Sequence, residues 1–329
     1  MNYSTEQEIA VKAVQEAAKL CQAVQAQITS SVLEKKDKSP VTVADFGSQA
    51  LVCRAIREAF PNDPIIAEED SAALKTEENA PLLEKVVAHL SDLRPGVDAD
   101  TACTWIDHGG AQEYSERFWT LDPIDGTKGF LRGEQYAIAL ALIVDGEIVV
   151  AALGCPNLPV SADQPENTGV VYAAVKGQGT TAIAMDGSGE PVSVSVTDTT
   201  DSSQARFCES VESGHTSHSD SANVAEKLGI TADSVRLDSQ AKYAVVARGE
   251  ADIYLRLPTR PGYVEKIWDH AAGVLVMTEA GGQASDIYGQ PLEFNHGWGL
   301  HANKGVIVTN GKLHDAVIEA INEVGVTAA

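Results

Sequence analysis

The sequence predicts a mixed fold, α+β passing into α/β, arranged as two domains. Three observations carry that reading. The chain has 329 residues, 44 % of them hydrophobic and 22 % charged, which is globular in composition and long for one layered core. Residues 136–156, "YAIALALIVDGEIVVAALGCP", place an apolar run on either side of Asp145-Gly146, the strongest short signal for a β-hairpin. "GVVYAAVKGQGTTAIAM" reads as a second hairpin, and helical and strand patterns alternate over the second half of the chain. The Pro/Asn-rich stretch "CPNLPVSADQPEN" separates the two regimes and predicts domains over 1–158 and 159–329.

In chain order, the opening segment predicts a helix. Ser4 and Gln7 have capping-box spacing, and Ile9, Ala13, Ala17, Leu20, Val24 and Ile28 follow at three- or four-residue steps. "SSVLEKKDKSPVTVAD" reads as a charged connection to a second helix near 44–60, with Asp45 in its first turn. "PIIAEED" is a short buried strand ending in acids. Residues 70–112 are acidic and mostly irregular, apart from a helix around 79–91. After the hairpins, the Ser/Asp-rich residues 197–221 read as an exposed connection. "SANVAEKLGI" is a helix ending at Gly229 and "ADIYLRL" a strand. "WDHAAGVLVMTEAGG" is a helix opened by Asp269 and stopped by Gly281-Gly282, and "GVIVTN" is a strand before a final helix.

The net charge of −23 argues against nucleic acid and anionic membrane as partners, since both would be repelled. Five dispersed cysteines without a C-x-x-C pair form neither a disulfide framework nor a zinc site. No apolar run approaches the ~20 residues of a membrane span, and the first residues lack the pattern of a secretory signal. A cytoplasmic protein with no obligate protein partner is the expectation.

Several acids close apolar segments. Glu68 and Glu69 end "PIIAE", Asp122 and Asp125 follow "WTL", Asp269 follows "KIW", and Asp45 follows "VTVA". Each is carried towards the edge of a core, where an unpaired carboxylate costs several kcal/mol. A divalent cation relieves that cost, and an all-oxygen donor set suits Mg²⁺ or Ca²⁺ rather than zinc. Each feature also has an ordinary reading: "DPIDG" as a turn, Asp269 as a helix cap, Glu68-Glu69 as a solvated strand end. Thr127, directly after Asp125-Gly126, favours the site, because a hydroxyl beside paired carboxylates can position water. The proline and glycine around Asp125 supply a bend that would bring both aspartates to one side. An acidic calcium buffer fits the charge, but no EF-hand loop pattern is present.

The set "VTVADF", "AEED", "DPIDGT" and "WDHAAG" resembles the lithium-sensitive, magnesium-dependent phosphatases that include inositol monophosphatases and fructose bisphosphatases. The longer strings "WTLDPIDGTKGFLRGEQYAIALALI", "DSQAKYAVVARGEADIYLRLP" and "YVEKIWDHAAG" are similar to the 3′(2′),5′-bisphosphate nucleotidases, over Thr5 to about Asn310. Ala67 stands where the superfamily usually has glycine. The resemblance implies a layered αβαβα sandwich and two or three Mg²⁺ ions. Glu68, Asp122 and the carbonyl of Ile124 would hold one ion, and Asp122, Asp125 and Asp269 a second. Glu68 with water would contact a third. Asp45 and Thr127 would polarise the attacking water, with Glu69 behind the ligands. Ser239, Lys242, Arg256 and His215 (or its neighbour His218) would bind the nucleotide. The implied reaction is hydrolysis of adenosine 3′,5′-bisphosphate to AMP and phosphate, with 3′-phosphoadenylyl sulfate as a second substrate, lithium as the expected inhibitor and sodium as a second candidate. Such an activity belongs to sulfur assimilation and salt tolerance. An inositol mono- or polyphosphate phosphatase, or a non-catalytic metal-dependent nucleotide-binding regulator, would share the same metal ligands.

Overall fold

A computed structural model of the chain describes residues 2–28, 39–161, 163–211 and 217–327. Helix α1 (Ser4–Gln25) buries a stripe of mostly small residues, including Ala10, Ala13, Ala17 and Ala18, and so lets α2 (Ser39–Ala59) approach closely. Gly47 marks the contact: a Cβ there would lie 2.7 Å from Leu20 Cδ2. The expected capping box does not form. Ser4 is already helical, and its amide donates to Asn2 Oδ1 at 3.1 Å. Helix α2 begins at Ser39, so Asp45 sits beyond the first turn instead of within it; Pro40 falls in that first turn, where a missing amide is harmless. The charged connection over residues 29–38 lies outside the described residues.

Seven strands form the larger sheet: β1 (Ile65–Ala67), β2 (Arg117–Asp125), β3 (Ala137–Val144), β4 (Glu147–Pro159), β5 (Thr168–Val175), β6 (Thr180–Ala184) and β7 (Val192–Val194), in that spatial order. Only β1 and β2 are parallel, with α3 (Ala80–Leu93) and α4 (Ala99–Asp107) between them in sequence. Helix α4 was expected to be irregular chain; Asp98 caps it by accepting from the Thr101 amide at 2.8 Å. Asp145 and Gly146 adopt φ of 52° and 80° between β3 and β4, as the hairpin signal requires. The position 158/159 lies at the end of β4, whose Pro159 is paired with Thr168 of β5, and the same sheet continues to Val194.

The second sheet has five strands: β8 (Phe207–Ser210), β9 (Val235–Leu237), β10 (Ile253–Arg256), β11 (Gln283–Ser285) and β12 (Val306–Thr309), in the order β11-β12-β10-β8-β9. Strand β8 corrects the expectation that 197–221 is an exposed connection: Phe207 and Cys208 are buried, but four residues are too short to mark a strand within so polar a segment.

Period-two alternation sorts the layers. Ile138, Leu140 and Leu142 of β3 face α1 and α2, whereas Ala137, Ala139, Ala141 and Ile143 face α7 (Ala241–Ala247) and α8 (Ala271–Glu279). Those two helices lie between the sheets. On the outer face of the second sheet, α6 (His218–Leu228) and α9 (His314–Val324) cover Phe207, Ile253 and Leu255. The expected αβαβα sandwich results, with α5 (Thr127–Arg132) inserted after β2. Asp269 does not open α8; it ends a short 3₁₀ turn, Ile267–Asp269, and His270 follows at φ −134° before the helix begins. No helix among the described residues is long and apolar enough to cross a membrane.

Candidate active site

The register of two strands brings the first acids together. β1 pairs in parallel with β2 as Ile65 with Trp119, Ile66 with Thr120 and Ala67 with Leu121, so the next step sets Glu68 beside Asp122. Along β2, pairing with β3 runs to Asp122 opposite Ala139 and resumes at Asp125 opposite Ala137. Two residues on β2, Pro123 and Ile124, therefore stand opposite one on β3, Ile138. In a regular strand, positions 122 and 125 would face opposite sides of the sheet; the one-residue bulge turns both to the same side. This bulge, with Pro123 inside it, does what the sequence assigned to a Pro-Gly bend. Gly126 then leaves the strand at φ 89°, and a Cβ on it would lie 2.9 Å from that of Ser239. Thr127 is the first residue of α5.

Asp122 is 2 % and Asp45, from α2, 6 % exposed. The Oδ1 atoms of both are buried without a hydrogen-bond partner among the described residues. Burial, together with the charges of Glu68, Asp125, Asp269 and Asp45, pushes the Asp122 carboxyl well above its usual range. Burial also raises Asp45, helped by Glu69 and Glu68. Glu68 is raised to about 7 by burial and by Glu69 and Asp125. Asp269 is likewise raised to about 7, by burial and Asp125, against the pull of Arg256 and His270. Orphaned buried oxygens and mutually repelling carboxyls fit a hard divalent cation, the group that would satisfy both at once.

A cleft of about 260 Å³ is lined by Glu68, Asp122, Ile124, Asp125, Thr127 and Asp269 on one side, with Arg256, Thr259, Arg260, Tyr263 and Glu265 completing its wall; Asp45 is not among the lining residues and lies buried behind them. The Asp125 carboxylate is fixed by the Gln240 amide, which donates to Oδ2 at 2.6 Å. Glu69 is held behind the strand end by Gln49, whose Oε1 accepts from the Glu69 amide at 3.0 Å. Ser239 is nearly buried at φ 68°. Lys242 is 3 % exposed, and its ammonium donates to the carbonyls of Ser239 at 2.7 Å and Leu237 at 3.4 Å. Arg256 borders the cleft with its guanidinium 3.0 Å from Glu265 and 3.8 Å from Asp269. His215 lies outside the described residues, as does the side chain of His218.

Sequence reasoning missed Glu265, Arg260 and Tyr263. Glu265, Asp269 and His270 approach within 4.8 Å of one another, a grouping of ordinary metal-ligating types. However, the Glu265 carboxylate already has Arg256 and His270 Nε2, at 3.2 Å, as partners. Burial alone would raise it, but those partners outweigh burial and hold it at about 2. Glu265 thus belongs to the wall that anchors Arg256. The signal for this wall was the loop "LPTRPGYVE", a Pro/Gly-rich segment leaving a strand end at a cleft.

The inositol monophosphatase family model matches residues 2–325. A 3′(2′),5′-bisphosphate nucleotidase of Emericella nidulans is 46 % identical over 353 aligned positions, covering 98 % of this chain and 99 % of the relative. One from Schizosaccharomyces pombe is 44 % identical, covering 97 % and 96 %. The 3′(2′),5′-bisphosphate nucleotidase 1 of Arabidopsis thaliana is 41 % identical, covering 98 % and 97 %. Among solved structures, the inositol monophosphatases of Anabaena (Nostoc) sp. PCC 7120 and Zymomonas mobilis superpose with TM-scores of 0.63 and 0.64, each at 20 % identity; they cover 99 % and 98 % of this chain, and 98 % and 99 % of their own. The sandwich, the carboxylate-lined cleft and these matches agree: the chain belongs to the inositol monophosphatase family, on its 3′(2′),5′-bisphosphate nucleotidase branch.

Proposed function

We propose that this protein is a cytoplasmic, Mg²⁺-dependent phosphomonoesterase that hydrolyses adenosine 3′,5′-bisphosphate to AMP and phosphate. It also takes 3′-phosphoadenylyl sulfate, whose reacting 3′ ester is the same. The observation that carries the reading is the unpartnered Oδ1 of Asp122 in a cleft rimmed by arginines, with the unpartnered Oδ1 of Asp45 buried near enough to Asp122 to act on its charge. The chain's likeness to nucleotidases over nearly its whole length narrows the substrate class.

Glu68, Asp122, Asp125, Asp269 and the Ile124 carbonyl are the residues to hold two or three Mg²⁺ ions. When bound, such ions supply an ionised water and charge stabilisation for the leaving alkoxide. The protein's own contribution is placement and proton handling. Thr127 sits at the start of α5 directly beyond the ligands, where its hydroxyl orients the attacking water. Asp45 takes the proton: burial beside Glu69 and Glu68 raises its proton affinity, as a general base at neutral pH requires. Glu69 keeps that field in place. Ser239, Lys242, Arg256 and His215 form the nucleotide side. Lys242, whose ammonium donates to the carbonyls of Ser239 and Leu237, also braces the turn at Ser239. The metal residues come mainly from 1–158 and the nucleotide residues from 159–329, with Asp269 reaching across from the second part.

Phosphate release from adenosine 3′,5′-bisphosphate, with inositol 1-phosphate alongside, tests the reading in Mg²⁺ with and without lithium. Fast, lithium-sensitive release from the nucleotide is expected. Release from the inositol ester alone would move the chain to inositol phosphate hydrolysis, and nucleotide binding without release would make it a regulator.

A further inference from the structure

Asp45, Ser48 and Gln49 of α2 stand at i, i+3 and i+4 and so share one face of the helix. Asp45 is nearly buried, and Ser48 and Gln49 are completely so. Neither Ser48 nor Gln49 lines the cleft; each holds the backbone of a strand that ends there. Ser48 Oγ donates to the Pro123 carbonyl at 2.9 Å. Pro123 lies in the bulge of β2 and brings no backbone amide to the sheet. That bulge turns Asp122 and Asp125 to one side, and Ser48 ties it to the helix that carries Asp45.

Gln49 does the same for β1. Its Oε1 accepts from the Glu69 amide at 3.0 Å, and its Nε2 donates to the Glu69 carbonyl at 2.5 Å and to the Ile106 carbonyl, near the end of α4, at 3.0 Å. Both amide hydrogens and the amide oxygen are thereby used. The slot around it is tight: a Cβ on Gly109 would lie 2.8 Å from Gln49 Nε2 and 2.7 Å from the Cβ of Ala67. The residue that Gln49 grips directly follows Glu68. Apolar packing of a helix on a sheet is non-directional. Hydrogen bonds to a carbonyl and an amide fix position and orientation as well.

Resting on the nucleotidase reading, we infer that Ser48 and Gln49 are positioning residues: through them α2 fixes the ends of β2 and β1, and so sets where Glu68, Asp122, the Ile124 carbonyl and Asp125 stand relative to the base Asp45. One helical face thus carries the proton acceptor and both of the contacts that index the ligands to it. Mg²⁺ demands near-ideal octahedral coordination, so a small displacement of either strand end is felt as lost affinity. If the two contacts served only to satisfy buried backbone groups, they would stabilise the fold and leave cation binding alone.

The test is calorimetric titration of the substrate-free protein with Mg²⁺, with melts in EDTA and turnover of adenosine 3′,5′-bisphosphate on the same preparations. Ser48→Ala and Gln49→Met should each weaken Mg²⁺ binding about tenfold or more, the usual cost of losing a group that orients metal ligands. At saturating Mg²⁺, kcat should stay lowered by a similar factor while KM changes little, because Asp45 is no longer indexed to the ligands. Ser48→Thr keeps the hydroxyl and should recover both Mg²⁺ affinity and kcat, even where its added methyl lowers Tm. Ile56→Val thins the buried packing of the same helix about two turns further on and should lower Tm with Mg²⁺ affinity and kcat at the wild-type values. Variants at 48 and 49 that melt lower but bind Mg²⁺ and turn over as wild type does would overturn the inference and leave the nucleotidase reading intact. Wild-type protein that binds Mg²⁺ but releases no phosphate from the nucleotide would overturn that reading instead, and weakened Mg²⁺ binding in the variants would still support the placement of the ligands.

Discussion

Asp269→Asn should make the cation-free protein more stable and the enzyme inactive. Asp269 is 22 % exposed, 3.8 Å from Arg256, and faces the charge of Asp125. A rise of its carboxyl from 3.8 to about 7 corresponds to about 4 kcal/mol of destabilisation once the group is ionised in both states. Partial solvent screening at the cleft reduces this to about 2 kcal/mol, roughly 3 °C in Tm for a chain of this length. Below about pH 4 the carboxyl is protonated folded and unfolded, so the penalty is absent there; it grows with pH and is complete above about 7. Thermal melts in EDTA at pH 5 and pH 8 should therefore show the variant gaining on wild type as pH rises. Added Mg²⁺ should raise the wild-type Tm and move the variant's much less. A variant less stable than wild type in EDTA at pH 8, or one stabilised equally by Mg²⁺, would refute the argument that Asp269 is a strained carboxylate awaiting a cation.

Asp45→Asn and Thr127→Ala should each lower kcat by roughly 10²–10⁴-fold, the usual range for losing a positioned proton acceptor or its partner, while Mg²⁺ still raises Tm; melts and turnover on the same preparations check both. Glu265, held at about 2 against an ordinary 4.5 by His270 and Arg256 in spite of its burial, should contribute about 3 kcal/mol of stability. That contribution is fully present above about pH 4.5 and lost as pH falls through about 2, so urea midpoints of Glu265→Gln and wild type should differ at pH 7 and converge at low pH. Gly126→Ala should destabilise by about 1–3 kcal/mol, since its φ is 89° and the added Cβ meets Ser239 at 2.9 Å. It should also lose activity, because Asp125 and Thr127 flank it; a near-wild-type melt and rate would contradict the strain argument.

What the sequence disclosed depended on the range of the interaction. The Asp145-Gly146 hairpin and the Gly229 helix stop are local, with the turn or cap chemistry in the residues themselves, and both stand as expected. The acids Glu68, Asp122, Asp125 and Asp269 were legible because each ends an apolar run, and burial beside apolar sequence already implies a charge problem. The bulge between Asp122 and Asp125 was not legible. It is a property of β2 paired with β3, and Ala139 and Ala137 bear no mark of it. Strand β8 and helix α4 were hidden for a different reason: both are short and set in polar sequence, and their burial comes from distant partners. Glu265 was missed because its partner Arg256, nine residues away, had been assigned to substrate alone.

The pairing of Arg256 with Glu265 also bears on how a chain of net charge −23 receives an anion. Around the cleft, Asp238 is matched by Arg132 and Glu265 by Arg256. Glu68, Asp122, Asp125 and Asp269 remain, and the charge of Asp125 helps to raise the proton affinity of the other three. Such a field repels phosphate, and Arg260 with Lys128 cannot reverse it alone. Had Arg256 been left unmatched, it would partly neutralise Asp269 and weaken that residue's hold on a cation. Glu265 prevents this by drawing the guanidinium towards itself, 3.0 Å against 3.8 Å. On the proposed function, the carboxylates would thereby stay available for divalent ions, and affinity for the anionic substrate would be conditional on those ions being bound. A binder of phosphate would gain by discarding Glu265; a catalyst that needs its cations in place before substrate enters is better served by keeping it.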